Sequence, residues 1–246
     1  MCDYEFNESS QLKGFAYIDF ETSKNCDFYM VGTQVETRKF KQIVLTEKLQ
    51  GLATQHNLRV MRPVEFAGTF CTFCLKHGLI IAAYSEAEKN ILKKLTNCEG
   101  LQYLNLNKAA KQWRNRYKRF EFNNLPNLAA RQKIPNYMRR ELRNSLFSVS
   151  RLLNDSQTDG LNIPKLTAYG YWKTSTRFRA VIDALSLHQQ NYSKLTGTQK
   201  AKGTKALNHN RFDVQVLPRL HATIKDYDDN IITSSTSNLN GDQDGT

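Results

Sequence analysis

Short apolar runs alternate with amphipathic stretches along most of this chain. The first run, Phe15-Ala16-Tyr17-Ile18-Asp19-Phe20-Glu21-Thr22, reads as a strand that ends in two acids. Residues 27–32 and 41–46 predict two further strands, the former entered from the turn-prone Ser23-Lys24-Asn25. Three strands with short connections make an antiparallel meander. Helical spacing takes over at 47–56 and again at 63–77. Residues 78–84 are continuously apolar and β-branched at their centre, the pattern of a strand covered on both faces. Ser85 then stands at an N-cap position with Glu88 three residues on, the spacing of a capping box. The helix it opens, 86–95, carries Ile91, Leu92 and Leu95 on one face.

Farther along, 101–104 predicts a strand, and 107–113 and 145–153 predict helices. The stretches around Pro126 and Pro135 and residues 154–160 read as loops. Tyr169-Gly170-Tyr171-Trp172 is an aromatic cluster, followed by a helix at 178–192. Residues 193–205, rich in Lys, Thr and Gly, predict a mobile loop. In the helix expected at 207–217, His209 and Asp213 lie one turn apart on the same face. Pro218 is expected to kink that helix or to begin a second segment, because it removes a backbone donor and clashes one turn back.

The pattern is that of an α/β protein whose mixed sheet begins antiparallel and continues with parallel strands, flanked by helices. With 246 residues and 40% apolar content, one domain with insertions can bury a full core. We place it at 15–227, after a polar lead-in (1–14) and before a disordered acidic tail (228–246). No apolar run approaches the ~20 residues of a membrane span, and no leader precedes the polar start. Five unevenly spaced cysteines fit a reducing, intracellular (cytoplasmic) setting.

The net charge of +12 is concentrated in a basic insertion. Between Lys108 and Arg143 there are eleven bases and two acids, whereas no base follows Lys225. Such a block favours a polyanion, most often nucleic acid, over the alternative of a solvated face. Within it Arg114, Arg116, Lys118 and Arg119 interleave with Trp113, Tyr117 and Phe120, a mixture suited to phosphates and stacked bases. Trp113 and Tyr117 at i, i+4 are equally a natural buried pair.

Candidate chemistry starts with Asp19 and Glu21. On a strand they point to one face, and two neighbouring buried carboxylates oppose each other's ionisation. A divalent cation reverses that penalty; the alternative is a strand end whose acids face water. Cys71-Thr72-Phe73-Cys74 with His77 has no second pair at ligand spacing, so the two thiols are assigned to the core.

Asp19-Phe20-Glu21-Thr22 at the end of a first strand resembles the first motif of the DEDD family of 3′–5′ exonucleases, which have a ribonuclease H-like fold. Ala83-Tyr84-Ser85-Glu86-Ala87-Glu88-Lys89-Asn90-Ile91-Leu92 resembles the second motif as it occurs in a predicted ribonuclease H-like branch, with Glu88 where strict members carry Asp. Glu86 is the fallback for that position, and a purely capping Glu88 is the alternative. Ser145–Leu153 resembles the helix before the third motif, and His209 with Asp213 resembles that motif itself. Its spacing is that of the family's tyrosine subclass, while its residue is that of the histidine subclass.

The resemblance implies a two-metal-ion 3′–5′ exonuclease acting on DNA or RNA. Asp19, Glu21, Glu88 and Asp213 would hold two Mg²⁺ or Mn²⁺ ions about 3.5–4 Å apart. His209 would orient or deprotonate the attacking water, and Thr22 would hold the terminal nucleotide. The competing expectation is a catalytically weak or inactive nucleic-acid-binding module on the same fold, motivated by Glu88 and by the spacing at His209. A basic scaffold that binds no nucleic acid is the third.

Overall fold

The computed structural model describes residues 14–119 except Lys24, Cys26, Thr37 and Cys98, together with Asn123, 145–153 and 174–237; Phe147 and 227–237 are described by their backbone alone. The lead-in, the loops near Pro126, Pro135 and 154–160, the aromatic cluster at 169–172 and most of the basic insertion lie outside the described residues.

Strands β1 (Gly14–Thr22), β2 (Phe28–Val35) and β3 (Lys41–Val44) form the antiparallel meander. A 3₁₀ turn, Glu47–Leu49, leads into α1 (Gln50–Gln55). Next come β4 (Arg59–Val60), α2 (Pro63–Lys76), β5 (Leu79–Ala83), α3 (Ala87–Leu95) and β6 (Tyr103–Asn105). Helices α4 (Leu106–Tyr117), α5 (Leu146–Ser150), α6 (Thr174–Leu187) and α7 (Gly197–Ser237), with a 3₁₀ turn at Tyr192–Lys194 before the last, complete the described elements. The six strands order as β4-β3-β2-β1-β5-β6, with β5 parallel to β1 and β6 parallel to β5. The fold is therefore α/β, with a mixed sheet flanked by helices.

Side-chain alternation along β1 separates the two faces of the sheet. Ala16, Ile18 and Phe20 pack with Phe66, Phe70 and Leu92 beneath α2 and α3. Tyr17, on the other face, joins Trp113, Val149, Val214 and Leu217 under α4, α5 and α7. A third cluster, centred on Met30, Leu52 and Phe178, seats α1, α6 and the start of α7. Cys71 and Cys74 are buried in the first cluster and form no disulfide, as core packing requires. Trp113 is buried and Tyr117 packs against the same cluster, so this pair faces inward.

Three expectations are corrected. Residues 197–205 are the first turns of α7 and not a loop. The signal lies in Thr196 and Gln199: the Gln199 amide donates to Thr196 Oγ1 (3.3 Å), and the Thr196 amide donates to Gln199 Oε1 (2.9 Å). That reciprocal cap outweighs the loop-like composition. Gly203 then lets the helix press on α1, since a Cβ there would meet Leu52 Cδ1 at 2.9 Å. Of the two outcomes expected at Pro218, a kink or a second segment, the second does not occur, because Val216, Leu217 and Leu220 hold one continuous helix against the sheet on both sides of it. The helical backbone also continues to Ser237, into the segment expected to be a tail, since neither Gly nor Pro occurs between Arg219 and Asn240.

Candidate metal centre

The site forms where the end of β1 passes beneath α7. Asp19 and Glu21 share the face of Tyr17, and α7 packs across β1 and β2 on that side. The register between β1 and β2 shifts after Glu21: Glu21 pairs with Met30, Thr22 pairs with Phe28, and Tyr29 is left as the extra residue of a bulge. A bulge bends and twists the strand that carries it, here β2, at the point where β1 ends beside the acids. From α7, His209 and Asp213 descend one turn apart.

Glu21, His209 and Asp213 converge so that one ligand atom from each lies within 4.8 Å of the others. His209 Nε2 is 3.2 Å from Asp213 Oδ2 and 3.8 Å from Glu21 Oε1. The side chains of His209 and Asp213 keep 16% of their surface exposed, so the cluster is sunken yet reached by water. Asp19 is fixed alongside by Asn210, whose Nδ2 donates to Asp19 Oδ2 (2.8 Å) and to the Asp19 carbonyl (3.1 Å).

Charge follows the same convergence. Burial pushes the Asp19 carboxyl up to about 6, against the lowering effect of the Asn210 hydrogen bond. Glu21 rises well above the usual carboxylate range, through burial and then through Asp19, Asp213 and Glu88. Asp213 rises for the same reasons, burial first and then Asp19 and Glu88. Burial and the Arg177 cation hold His209 down to about 3, so its imidazole is neutral at ordinary pH. Four carboxylates thus share one low-dielectric site in which they cannot all ionise without a counter-charge.

Glu88 is the acid that α3 turns toward this site. It is 7% exposed, and burial and Asp19 raise its carboxyl to about 7. Ser85 Oγ donates to Glu88 Oε2 (2.7 Å), and the amides of Glu88 and Ser85 also favour its anion. Glu88 therefore closes the helix start and faces the cluster at once. Glu86, the fallback, is exposed and committed elsewhere: it accepts from Asn105 Nδ2 (2.8 Å) and lies 3.9 Å from Lys89 Nζ.

Two residues near the site carry no motif signal. Asn210 sits between the expected His209 and Asp213, visible in sequence only as a polar residue on a helix face that turns out to be fully buried. Arg177 precedes the apolar part of α6, and its positive charge acts on Glu21 and His209. Thr22 is half-buried at the strand end. One residue beyond it, Ser23 enters a cleft of about 830 Å³ whose walls include Lys48 and Arg179. In the basic segment Arg116 and Arg119 are exposed and Lys118 is half-buried. Arg114 departs from its expected surface role, because it lies on the inner side of α4 with 6% exposure.

The donor set fits a hard divalent cation. Carboxylate oxygens dominate it, with one imidazole nitrogen. Glu21 Oε1 is buried and accepts no hydrogen bond among the described residues, and a cation would satisfy it. No other such group of His, Cys, Asp and Glu occurs among the described residues. No helix among them is long and apolar enough to cross a membrane. In comparisons with known proteins, no family model, curated protein or solved structure matches the chain.

Proposed function

We propose that the chain is a metal-dependent 3′–5′ exonuclease of the DEDD type, with a ribonuclease H-like fold. The observation that carries this reading is the convergence of Glu21 and Asp213, from β1 and α7, on the neutral His209, with Asp19 and Glu88 near enough to raise the carboxyls of both. Buried, mutually repelling acids can all ionise only with a compensating charge, which a divalent cation would supply.

Asp19, Glu21, Glu88 and Asp213 would hold two Mg²⁺ or Mn²⁺ ions. When bound, such ions acidify the attacking water and stabilise charge on the leaving oxygen. Water adds to the phosphorus and gives up a proton to solvent. The bond from phosphorus to the 3′-oxygen of the preceding nucleotide breaks, that oxygen takes a proton from solvent to become the new 3′-hydroxyl, and a 5′-mononucleotide leaves. His209 has the water-orienting part in this reading. An imidazole held at about 3 is too weak a base to remove the proton efficiently near neutral pH. Arg177 offers a positive charge beside Glu21 for the substrate phosphate. Thr22 and the cleft beyond it would receive the terminal nucleotide, and Arg116, Lys118 and Arg119 would track the backbone farther out.

A second reading is a catalytically weak or inactive nucleic-acid-binding module on the same fold. The hydrogen bond of Glu88 to Ser85 favours it, because that carboxylate already has a partner. One assay separates the two: the full chain with Mg²⁺ or Mn²⁺ on 5′-end-labelled single-stranded and duplex DNA and RNA. The exonuclease reading expects a ladder shortening from the 3′ end, absent with Asp213→Asn. Binding without any shortening supports the module instead.

A further inference from the structure

Asp19, the acid alongside the Glu21–His209–Asp213 cluster, is held by a polar relay that begins two strands away. Asp19 on β1 pairs with Gly32 on β2, and Gly32 pairs with Gln42 on β3, so the three form one row across the sheet. Asn210 of α7, with no exposed surface, lies over the middle of that row. It fits because Gly32 has no side chain: a Cβ there would stand 2.5 Å from Asn210 Oδ1 and 2.8 Å from Val214 Cγ2.

Gln42 decides which way the Asn210 amide faces. Gln42 Nε2 donates to Asn210 Oδ1 (3.1 Å) and to the carbonyl of Leu207 one turn earlier (2.8 Å). With its oxygen taken by Gln42, Asn210 turns its NH₂ group to Asp19 and donates to both the carboxylate and the carbonyl of that residue. The inverted amide would set Asn210 Oδ1 against Asp19 Oδ2, acceptor against acceptor, and would face the Gln42 donor with an NH₂ group. Two mismatches follow from one flip, so the pair of amides locks a single orientation.

We propose that Asn210 is a positioning residue for the metal centre, and that Gln42 sets it from outside the centre. By fixing one oxygen of Asp19, Asn210 leaves the other aimed at the cation site, as outer partners of metal-ligating carboxylates do. The proposal rests on the reading of the site given above. A docking role alone, pinning α7 to the sheet, accounts for the bonds to Leu207 and Gln42. It does not account for the two donated to Asp19.

The test is calorimetric titration of Mn²⁺ into the full-length wild type, Asn210→Ala, Gln42→Leu and the double variant, with the melting temperature of each recorded without metal. Loss of an outer partner typically weakens metal affinity about 10–100-fold. Asn210→Ala should fall in that range, Gln42→Leu should weaken Mn²⁺ binding without touching a ligand, and the double variant should be no weaker than Asn210→Ala. If Asn210→Ala is too unstable to purify, Gln42→Leu alone carries the test. Lower melting temperatures with wild-type Mn²⁺ affinity would overturn the proposal and leave a docking role. A wild type that binds no Mn²⁺ would overturn the reading of the site itself, and this inference with it.

Discussion

Asp19 and Glu88 lose ionisation to burial, and His209 loses protonation to it, so the site couples protons to folding. A carboxyl whose folded pKa exceeds its unfolded value holds a proton that unfolding releases, and stability falls as pH rises through that interval. For Asp19 the interval runs from 3.8 to about 6, and for Glu88 from 4.5 to about 7. Glu21 and Asp213 shift in the same direction. His209 runs the other way: its pKa falls from 6.5 to about 3, so its contribution to stability grows as pH rises across that range. Four carboxyls outweigh one imidazole. The cation-free protein should therefore lose melting temperature between about pH 4 and about pH 7, and Asp213→Asn should flatten the loss. Thermal melts followed by circular dichroism check this; an equal slope in both proteins would refute it. Glu88→Gln tests the second motif at the same scale. It should depress cleavage and raise the Mn²⁺ requirement, while Glu86→Gln, facing Asn105 and Lys89, should leave both unchanged. Equal rates in all three proteins would reduce Glu88 to a cap.

The elements differ in how openly the chain declares them. Strand β1 and its two acids were legible, because period-two alternation and a terminal pair of carboxylates are local signals. So were α2, β5 and the turn from Ser85 into α3. Strand β4 was not, since two residues, Arg59 and Val60, carry no period and exist as a strand only by pairing with Ile43 and Val44. The start of α7 was missed because Lys, Thr and Gly suggested a loop, while the cap at Thr196 and the close approach at Gly203 decide otherwise. Asn210 was illegible for a different reason: its role depends on Gly32 and Gln42, which are distant in sequence and meet only in the sheet. The cap has a measurable share. Thr196→Ala should cost about 1 kcal/mol, the usual loss for an N-cap, read as a lower denaturation midpoint with an unchanged slope. No change in midpoint would mean that packing alone sets where α7 begins.

At the scale of the molecule, the fold divides its work between the two faces of one sheet. Helices α2 and α3 seal an apolar face, and the opposite face, under α7, carries Asp19 and Glu21, with Glu88 coming from the start of α3. In the sequence the surplus of positive charge lies in Lys108–Arg143, and under the proposed function it would draw a polyanion to a protein whose acids are sunken. Replacing the exposed Arg116 and Arg119 with Gln should weaken nucleic-acid binding. It should also flatten the slope of log affinity against log salt by up to ~0.9 for each duplex phosphate left unneutralised. An unchanged slope would make that end of α4 a solvated face. The central question is whether the four carboxylates are gathered to hold divalent cations. Crystals grown with Mn²⁺ and measured at its absorption edge answer this directly. Anomalous peaks are expected among Asp19, Glu21, Glu88 and Asp213; well-ordered carboxylates with no peak between them would contradict the metal centre.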